Sequence, residues 1–260
     1  QRDAGLGLTS PAVGWAVRNT PLFLSNSSVG AEYLAKTLRV ASHRIRMVRN
    51  AVQLDPPRDA RSAWRARIGI APSCLLACMV ANLQKNKDHA TLLRAWRIAW
   101  DRLAASGRDA MLVLAGRLDA ADPLRQLVED LGLTASVRFL GEVDDVSGLL
   151  AAADLGVFSS RSEGCPNAVL ESMAAGLPVV AGDCPGVREA VGESGWAWLT
   201  AVGDAEAMAE RIVRLAEAPA LRVQLGAGNA ERIREEFTLD RLNAQLESLL
   251  PAALAERRWP

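Results

Sequence analysis

Histidine, cysteine and lysine are scarce in this chain, and the first two shortages exclude some kinds of site. Only His43 and His89 are present, so a histidine-rich metal site is excluded. The four cysteines show neither zinc-type pairing nor the regular spacing of a small secreted domain. Cys74 and Cys78 lie in an apolar run and are predicted to be core residues. A reducing cytoplasm fits this cysteine pattern best.

The chain also lacks an excess of either charge and any long hydrophobic run. Its 260 residues include 30 basic and 30 acidic side chains, and half of the residues are apolar. This balance argues against disorder and against a nucleic-acid partner bound by a basic surface. No apolar run approaches the roughly 20 residues that span a bilayer. The composition indicates a globular protein with one large domain, or one domain plus part of another.

Three lysines are present, and two of them fall in one short loop. Lys85 and Lys87 lie within "QKNKDH", whereas all other basic residues except Lys36 are arginines. Lysine is a compact point charge suited to phosphate, so this loop is a candidate phosphate contact. A solvated loop without function is the alternative interpretation.

From about residue 72, short apolar runs alternate with amphipathic stretches. This alternation predicts βαβ units and a doubly wound α/β domain with a parallel, Rossmann-like sheet. The predicted strands are 74–81, 110–116, 137–141, 154–160, 177–182 and 195–200, and the predicted helices are 89–105, 122–131, 145–152, 166–175, 184–191, 204–217, 219–236 and 239–256. The first 50 residues do not follow the pattern, and a Pro-rich linker at 54–57 separates them from it. The chain is therefore expected to start in one domain and cross into a second.

The loop after the fourth strand, "RSEGCPN", has the features of an anion site. Pro166 suits the first position of a helix, because it has no N–H to leave unpaired, and Gly164 permits close backbone approach. The free N–H groups and the dipole of the following helix favour an anion such as a diphosphate. Ligands bind beyond the carboxyl ends of parallel strands, so Lys85 or Lys87 from the first loop can add charge there.

Glu171 is the charged residue within "AVLESMAAGLPVV", where its neighbours must be buried. An ionised carboxylate in such a place costs several kcal/mol unless hydrogen-bond donors satisfy it. No basic residue stands three or four positions away, so the paired hydroxyls of a ribose are one candidate partner. A distant arginine of this Arg-rich chain is the alternative. Glu163 lies in the loop before the same helix and would face whatever the diphosphate carries.

These residues resemble those of a known family. Glu163 and Glu171, with seven residues between them, resemble the E-x7-E motif of retaining GT-B glycosyltransferases of the GT4 type. The stretches "AADLGVFSSRSEGCPNAVLESMAAGLPVVAGDCPGVREAV", "VANLQKNKDHATLLRAW" and "VRFLGEVDDVSGLLAAADLGVF" are similar to that family's pattern. The similarity runs from about residue 20 to 250.

The resemblance implies a site for a nucleotide-sugar donor, with UDP or GDP favoured and with no cofactor or metal. Glu163 and Lys87 would be the catalytic residues, Lys85 a substitute for Lys87, and Glu171 the ribose ligand. The segment from Phe139 through Gly141 to Val143 would border the nucleobase. The backbone before and at the start of the helix would contact phosphate and sugar, through Gly164, Cys165, Pro166, Asn167 and Ala168.

One position departs from the family's pattern. Family members often carry Gly-Arg, with the arginine on phosphate, where this chain has Ala81 and Asn82. Asn82 brings no charge, so diphosphate binding is expected to be weaker or to rely on Arg161 or Arg117.

The resemblance also implies a division of the chain. Residues 1–53 would be a remnant of the amino-terminal acceptor domain with its linker, 54–237 the nucleotide-sugar donor-binding domain, and 238–260 a crossing helix. Transfer to an acceptor glycan or lipid-linked sugar would need a missing or separate domain. The alternatives are a nucleotide-sugar-binding subunit of a split enzyme, without activity of its own, and a GT-B epimerase. A cytoplasmic location, or a peripheral one at the inner membrane face, and self-association through the exposed remnant are expected.

Overall fold

The computed structural model describes residues 11–118 and 121–255. The strands are β1 (Phe23–Ser25), β2 (Ile45–Met47), β3 (Leu75–Val80), β4 (Ala110–Ala115), β5 (Val137–Gly141), β6 (Leu155–Phe158), β7 (Val179–Gly182) and β8 (Leu199–Thr200). The α-helices are α1 (Pro11–Asn19), α2 (Ser28–Lys36), α3 (Arg61–Ile68), α4 (His89–Ala105), α5 (Ala121–Asp130), α6 (Val146–Ala152), α7 (Asn167–Ala174), α8 (Pro185–Val191), α9 (Ala205–Glu217), α10 (Pro219–Glu236) and α11 (Leu239–Ala255). Short 3₁₀ turns cover Ser42–Arg44, Lys85–Lys87 and Glu193–Trp198.

The main sheet has six parallel strands in the order β5-β4-β3-β6-β7-β8. From β3 the chain winds outward through β4 and β5, then returns to place β6 on the other side of β3. The strand order therefore reverses between β3 and β6, which is the switch point where open α/β sheets bind ligands. The predicted doubly wound α/β fold is confirmed.

Both faces of this sheet are buried, because helices cover each of them. Along β3, Leu75, Ala77 and Met79 join one hydrophobic cluster, while Leu76 and Cys78 join the cluster on the opposite face. This alternation is the two-residue period of a strand. It also explains why the strand reads as a continuous apolar run, and the prediction that Cys78 is a core residue is confirmed.

Two predictions about secondary structure were wrong or incomplete. Residues 195–200 were expected to form a strand, but most of them belong to the 3₁₀ turn, and β8 holds only Leu199 and Thr200. Gly192, at a φ of 68°, starts that turn, because its carbonyl accepts from the Gly195 N–H. Helix α3 was not predicted, since mostly polar residues surround the two large apolar side chains, Trp64 and Ile68, that it buries.

The amino-terminal segment forms its own two-stranded sheet. Strands β1 and β2 pair in parallel, and Leu24 and Met47 on them are exposed. The chain that follows packs against the last helices: the Val52 N–H donates to the Phe237 carbonyl at 2.8 Å, and Arg49 pairs with Glu236. The proposed boundaries at 53 and 237 stay predictions. Within residues 11–118 and 121–255, no helix combines the length and apolar character that crossing a membrane requires.

Candidate functional site

The loops that follow β3 and β6 lie side by side at the switch point, and an ion pair joins them. Lys87 Nζ lies 2.6 Å from Glu163 Oε1, and their side chains are only 23% and 11% exposed. The two residues expected to be catalytic are therefore in direct contact. Partial burial reduces the solvent screening of their attraction, and it also removes part of the hydration of each charge.

Backbone contacts hold these two loops in register. Ser159 Oγ lies 3.0 Å from the Lys87 carbonyl oxygen and 2.9 Å from that of Asp88. The Arg161 N–H donates to the Asn86 carbonyl at 2.8 Å. Because all three bonds end on main-chain carbonyls of the loop after β3, the loop carrying Glu163 is fixed relative to the loop carrying Lys87.

Asp88 anchors a second cation at this junction. Its buried carboxylate accepts from Thr91 Oγ1 at 2.9 Å and from Arg161 Nε at 3.0 Å through the same oxygen, Oδ2. The Arg161 side chain is nevertheless 65% exposed. Among the described residues, its two terminal nitrogens have no hydrogen-bond partner. The guanidinium is thus oriented at one end and available at the other.

His89 follows directly and begins helix α4, as predicted. Burial, and then the charge of Lys87, lower the pKa of His89 to about 4. The imidazole is therefore neutral at physiological pH. The positive charge in this part of the site comes from Lys87 and Arg161.

The segment before α7 passes very close to the start of α8. A Cβ atom on Gly186 would overlap the carbonyl oxygens of Glu163 and Gly164, so only glycine fits there. Pro166 is buried and precedes Asn167, the first residue of α7. Burial raises the pKa of the Cys165 thiol to about 11, so it stays protonated. The N–H groups of the first turn of α7 therefore lie in a segment of fixed position.

Glu171 lies on α7, one turn further along, and its side chain is half-buried. Burial raises the pKa of this carboxyl group, and no opposing contact contributes. Within residues 11–118 and 121–255, the carboxylate has no hydrogen-bond or ion-pair partner. The alternative of a distant arginine is therefore not found in this part of the chain. A carboxylate with a destabilised charge and no internal partner is an acceptor available to a ligand.

The remaining predicted ligands belong to β5 or to the segments that follow β3, β4, β5 and β6. Asn82 Oδ1 accepts from the Arg117 N–H at 3.1 Å, which joins the loops after β3 and β4. Phe139 lies in the middle of β5 and Gly141 at its end, two strands from β3 and thus about 10 Å away. The structure does not bring them into contact with the Lys87–Glu163 pair. Of the other predicted ligands, Lys85 is exposed, whereas Val143 and Ala168 are half-buried.

Sequence reasoning missed contacts that the amino-terminal segment makes with this site. The N–H and hydroxyl of Ser28 both lie 3.1 Å from Glu189 Oε2 on α8. Asn50 Nδ2 donates to Asn167 Oδ1 at 2.7 Å. No sequence signal marks these polar pairs, because their members are more than 100 residues apart.

The described residues contain no group of three or more His, Cys, Asp or Glu side chains arranged to hold a metal ion.

Comparison with known proteins was informative about the fold and the family. The family model "Glycosyl transferases group 1" matches residues 75–218, more than half of the chain. The D-inositol 3-phosphate glycosyltransferase of Streptomyces scabiei is 28% identical over 251 residues, covering 93% of this chain and 56% of that protein. The N-acetyl-alpha-D-glucosaminyl L-malate synthase of Bacillus anthracis is 28% identical over 181 residues, covering 70% of this chain and 46% of that one. The chain thus spans about half the length of the curated relatives it matches.

Solved structures share the fold over nearly the whole chain. Anabaena Alr3699/HepE, solved in complex with UDP and glucose, superposes with a TM-score of 0.81 at 24% identity, covering 93% of this chain and 66% of that one. WaaG, a glycosyltransferase involved in lipopolysaccharide biosynthesis, superposes with a TM-score of 0.73 at 19% identity, covering 85% and 60%.

Proposed function

This chain belongs to the group 1 glycosyl transferase family, and on that premise we propose that it is the donor half of a retaining, metal-independent glycosyltransferase. It binds a nucleoside diphosphate sugar beyond the carboxyl ends of β3 and β6. The observation that carries the proposal is the half-buried carboxylate of Glu171, which lacks a partner among the described residues, on the helix that follows the Lys87–Glu163 pair. The UDP complex of HepE supports a nucleotide of this kind as the ligand.

Each part of a donor has a matching group in the site. Glu171 accepts hydrogen bonds from the two ribose hydroxyls, which stabilises its ionised form. The first-turn N–H groups of α7 and the Lys87 ammonium bind the diphosphate. In the transfer step, the acceptor's hydroxyl oxygen forms a bond to the anomeric carbon while the bond from that carbon to the diphosphate breaks. The electron pair leaves on phosphate, and a phosphate oxygen takes the hydroxyl proton. Lys87 and the amides stabilise that charge, while Glu163 orients the sugar.

Arg161 takes the place of the family's missing phosphate arginine. Asp88 holds its Nε and leaves the terminal nitrogens for a phosphate oxygen, whereas Asn82 uses its own side-chain oxygen on the Arg117 N–H. We expect Arg161→Gln to weaken UDP binding about tenfold, which is the loss of one charge-assisted hydrogen bond. Titration calorimetry measures this, with Arg117→Gln as the matched variant. A tenfold loss in the Arg117 variant and none in the Arg161 variant would assign the role to the other arginine.

A nucleotide panel tests the function as a whole. UDP, GDP and ADP are titrated into the protein by calorimetry, and each is also added in a thermal-shift assay. A ligand that binds only the folded state raises the free energy of unfolding, by about 2.7 kcal/mol at a hundredfold excess over Kd. The Tm rises with it. Selective stabilisation by one diphosphate would support the proposal. The absence of heat and of any shift with all three at millimolar concentration would refute it.

The acceptor and the location of the protein belong to the same proposal. The acceptor is a glycan or lipid-linked sugar bound by a second domain, and the setting is the cytoplasm or the inner membrane face.

Leu24 and Met47 expose apolar surface on the two-stranded sheet, and Trp15 is 63% exposed nearby in the chain. We expect self-association at high concentration, measured by sizing chromatography with light scattering. A clean monomer at several hundred micromolar would contradict it.

A further inference from the structure

The amino-terminal segment contacts the proposed donor site at three separate points. Ser28 bonds to Glu189 on α8, and the hydroxyl of Ser27 lies within 3.2 Å of the position that a Cβ on Gly164 would take. The third contact is the hydrogen bond from Asn50 to Asn167. The segment before α7 is therefore enclosed by α8 and by residues of the first 50 positions.

The third contact is part of a chain of three side-chain amides. Asn26 Nδ2 donates to Asn50 Oδ1 at 3.1 Å, and Asn50 Nδ2 donates to Asn167 Oδ1 at 2.7 Å. In the structure each amide donates through its NH₂ group to the oxygen of the next one, in the order Asn26, Asn50, Asn167. At its end, the Asn167 Oδ1 atom is occupied, and the Nδ2 atom has no partner among the described residues. Asn50 thus determines which end of the Asn167 amide is left for another molecule.

We infer that Asn50 is a positioning residue, which holds the Asn167 amide so that its Nδ2 donates to an oxygen of the bound donor. This inference rests on the proposed function and adds a side-chain contact to it. The receiving oxygen belongs either to the diphosphate or to the sugar, since both carry acceptors near the start of α7. Without Asn50, the amide is free to rotate and exposes a donor or an acceptor with equal ease.

Substitutions at Asn50 test the inference by titration calorimetry with UDP and UDP-glucose. Asn50→Ala is expected to weaken binding about fivefold, the size of one neutral hydrogen bond. Asn50→Asp keeps the shape but can only accept, so the Asn167 amide must turn its NH₂ group toward it and present oxygen to the donor. A larger loss, about 20-fold, is expected, because repulsion between acceptors is added to the lost bond. Asn26→Ala, at the exposed end of the three linked amides, is the matched control and should change binding less than twofold.

A double-mutant cycle separates positioning from a general structural effect. If Asn50 acts through Asn167, then the double variant Asn50→Ala/Asn167→Ala binds as weakly as Asn167→Ala alone. The inference would be overturned if the losses of Asn50→Ala and Asn167→Ala add up in the double variant, or if neither Asn50 variant changes the affinity. In both cases, nucleotide binding by the wild-type protein would leave the proposed function intact. A wild-type chain that binds neither UDP nor UDP-glucose would overturn both. Losses seen with UDP assign the oxygen to the diphosphate, and losses confined to UDP-glucose assign it to the sugar.

Discussion

Replacing Glu171 with glutamine is expected to weaken nucleotide binding by about 100-fold and, at the same time, to stabilise the protein without ligand. The loss of affinity arises because a carboxylate accepts two hydrogen bonds from a pair of ribose hydroxyls, whereas an amide accepts at one end only. A hydrogen bond to a charged group contributes about 1.5–3 kcal/mol, and 2.7 kcal/mol corresponds to roughly 100-fold in Kd. Titration calorimetry with the diphosphate selected by the panel measures the change.

The gain in stability of the ligand-free variant arises because glutamine removes a charge that the folded wild-type protein has to bury. Burial raises the pKa of Glu171 above its ordinary value of 4.5, so folding disfavours the ionised form. Well below pH 4.5 the group is protonated in both states, and its burial then carries no cost of a buried charge. As the pH rises through 4.5 the unfolded chain ionises first, so the folded state loses stability relative to it. The glutamine variant should therefore have a higher Tm than wild type at pH 7, and the difference should disappear as the pH falls well below 4.5.

An exposed glutamate provides the control for this pair of effects. Glu210 lies on α9 and is exposed, so Glu210→Gln should change neither affinity nor Tm. Lower stability together with lower affinity in the Glu171 variant would show that the carboxylate has a structural partner. Higher stability with unchanged affinity would show an unpaired acid that binds no ligand. Only opposite changes in the two quantities fit a carboxylate kept for the nucleotide.

The sequence was sufficient to predict the sheet and the two central loops, and the reason is local. Continuous apolar runs mark β3 and β6, and Pro166 lies directly before Asn167, the first residue of α7. The start of α6 depends on an equally local contact, because Asp145 Oδ1 accepts from the Gly148 N–H at 3.0 Å.

What the sequence did not predict depends on contacts between distant parts of the chain. Helix α3 is held by Trp64, whose indole N–H donates to Asp145 at 2.8 Å, 81 positions away. The bond between Asn50 and Asn167 likewise joins residues 117 positions apart. Periodicity carries no information on such pairs, because a polar side chain in a loop looks the same whether it is solvated or bonded. The predicted nucleobase contacts along β5 remain predictions for a related reason. They would be made by backbone atoms, which are the same for most residue types, so the sequence hardly indicates them.

Substitutions at Lys87 and Glu163 are expected to change diphosphate binding in opposite directions. Lys87→Met should weaken UDP binding about 100-fold, since it removes a charge-assisted contact and leaves Glu163 unpaired beside the phosphates. Glu163→Gln should strengthen UDP binding about three- to tenfold, because Lys87 no longer has to leave a carboxylate to reach a phosphate oxygen. Lys85→Met, an exposed lysine two residues away, is the control and should have little effect.

Glu163→Gln is expected to have opposite effects on the binding of UDP and on the extra affinity that the sugar adds. These opposite effects would distinguish a residue that binds the donor from one that only forms a structural ion pair. If Glu163 orients the sugar hydroxyls, then Glu163→Gln lowers the affinity gained on going from UDP to UDP-glucose even while UDP itself binds more tightly. A pair that only supports the two loops would give weaker binding of both ligands in both variants, along with a lower Tm. If the proposed function holds, the diphosphate draws Lys87 out of the 2.6 Å ion pair and the sugar draws Glu163 out of it, which is the first outcome. The loops need neither charge to stay in place, since the Ser159 hydroxyl and the Arg161 N–H already bind carbonyl oxygens of the loop after β3.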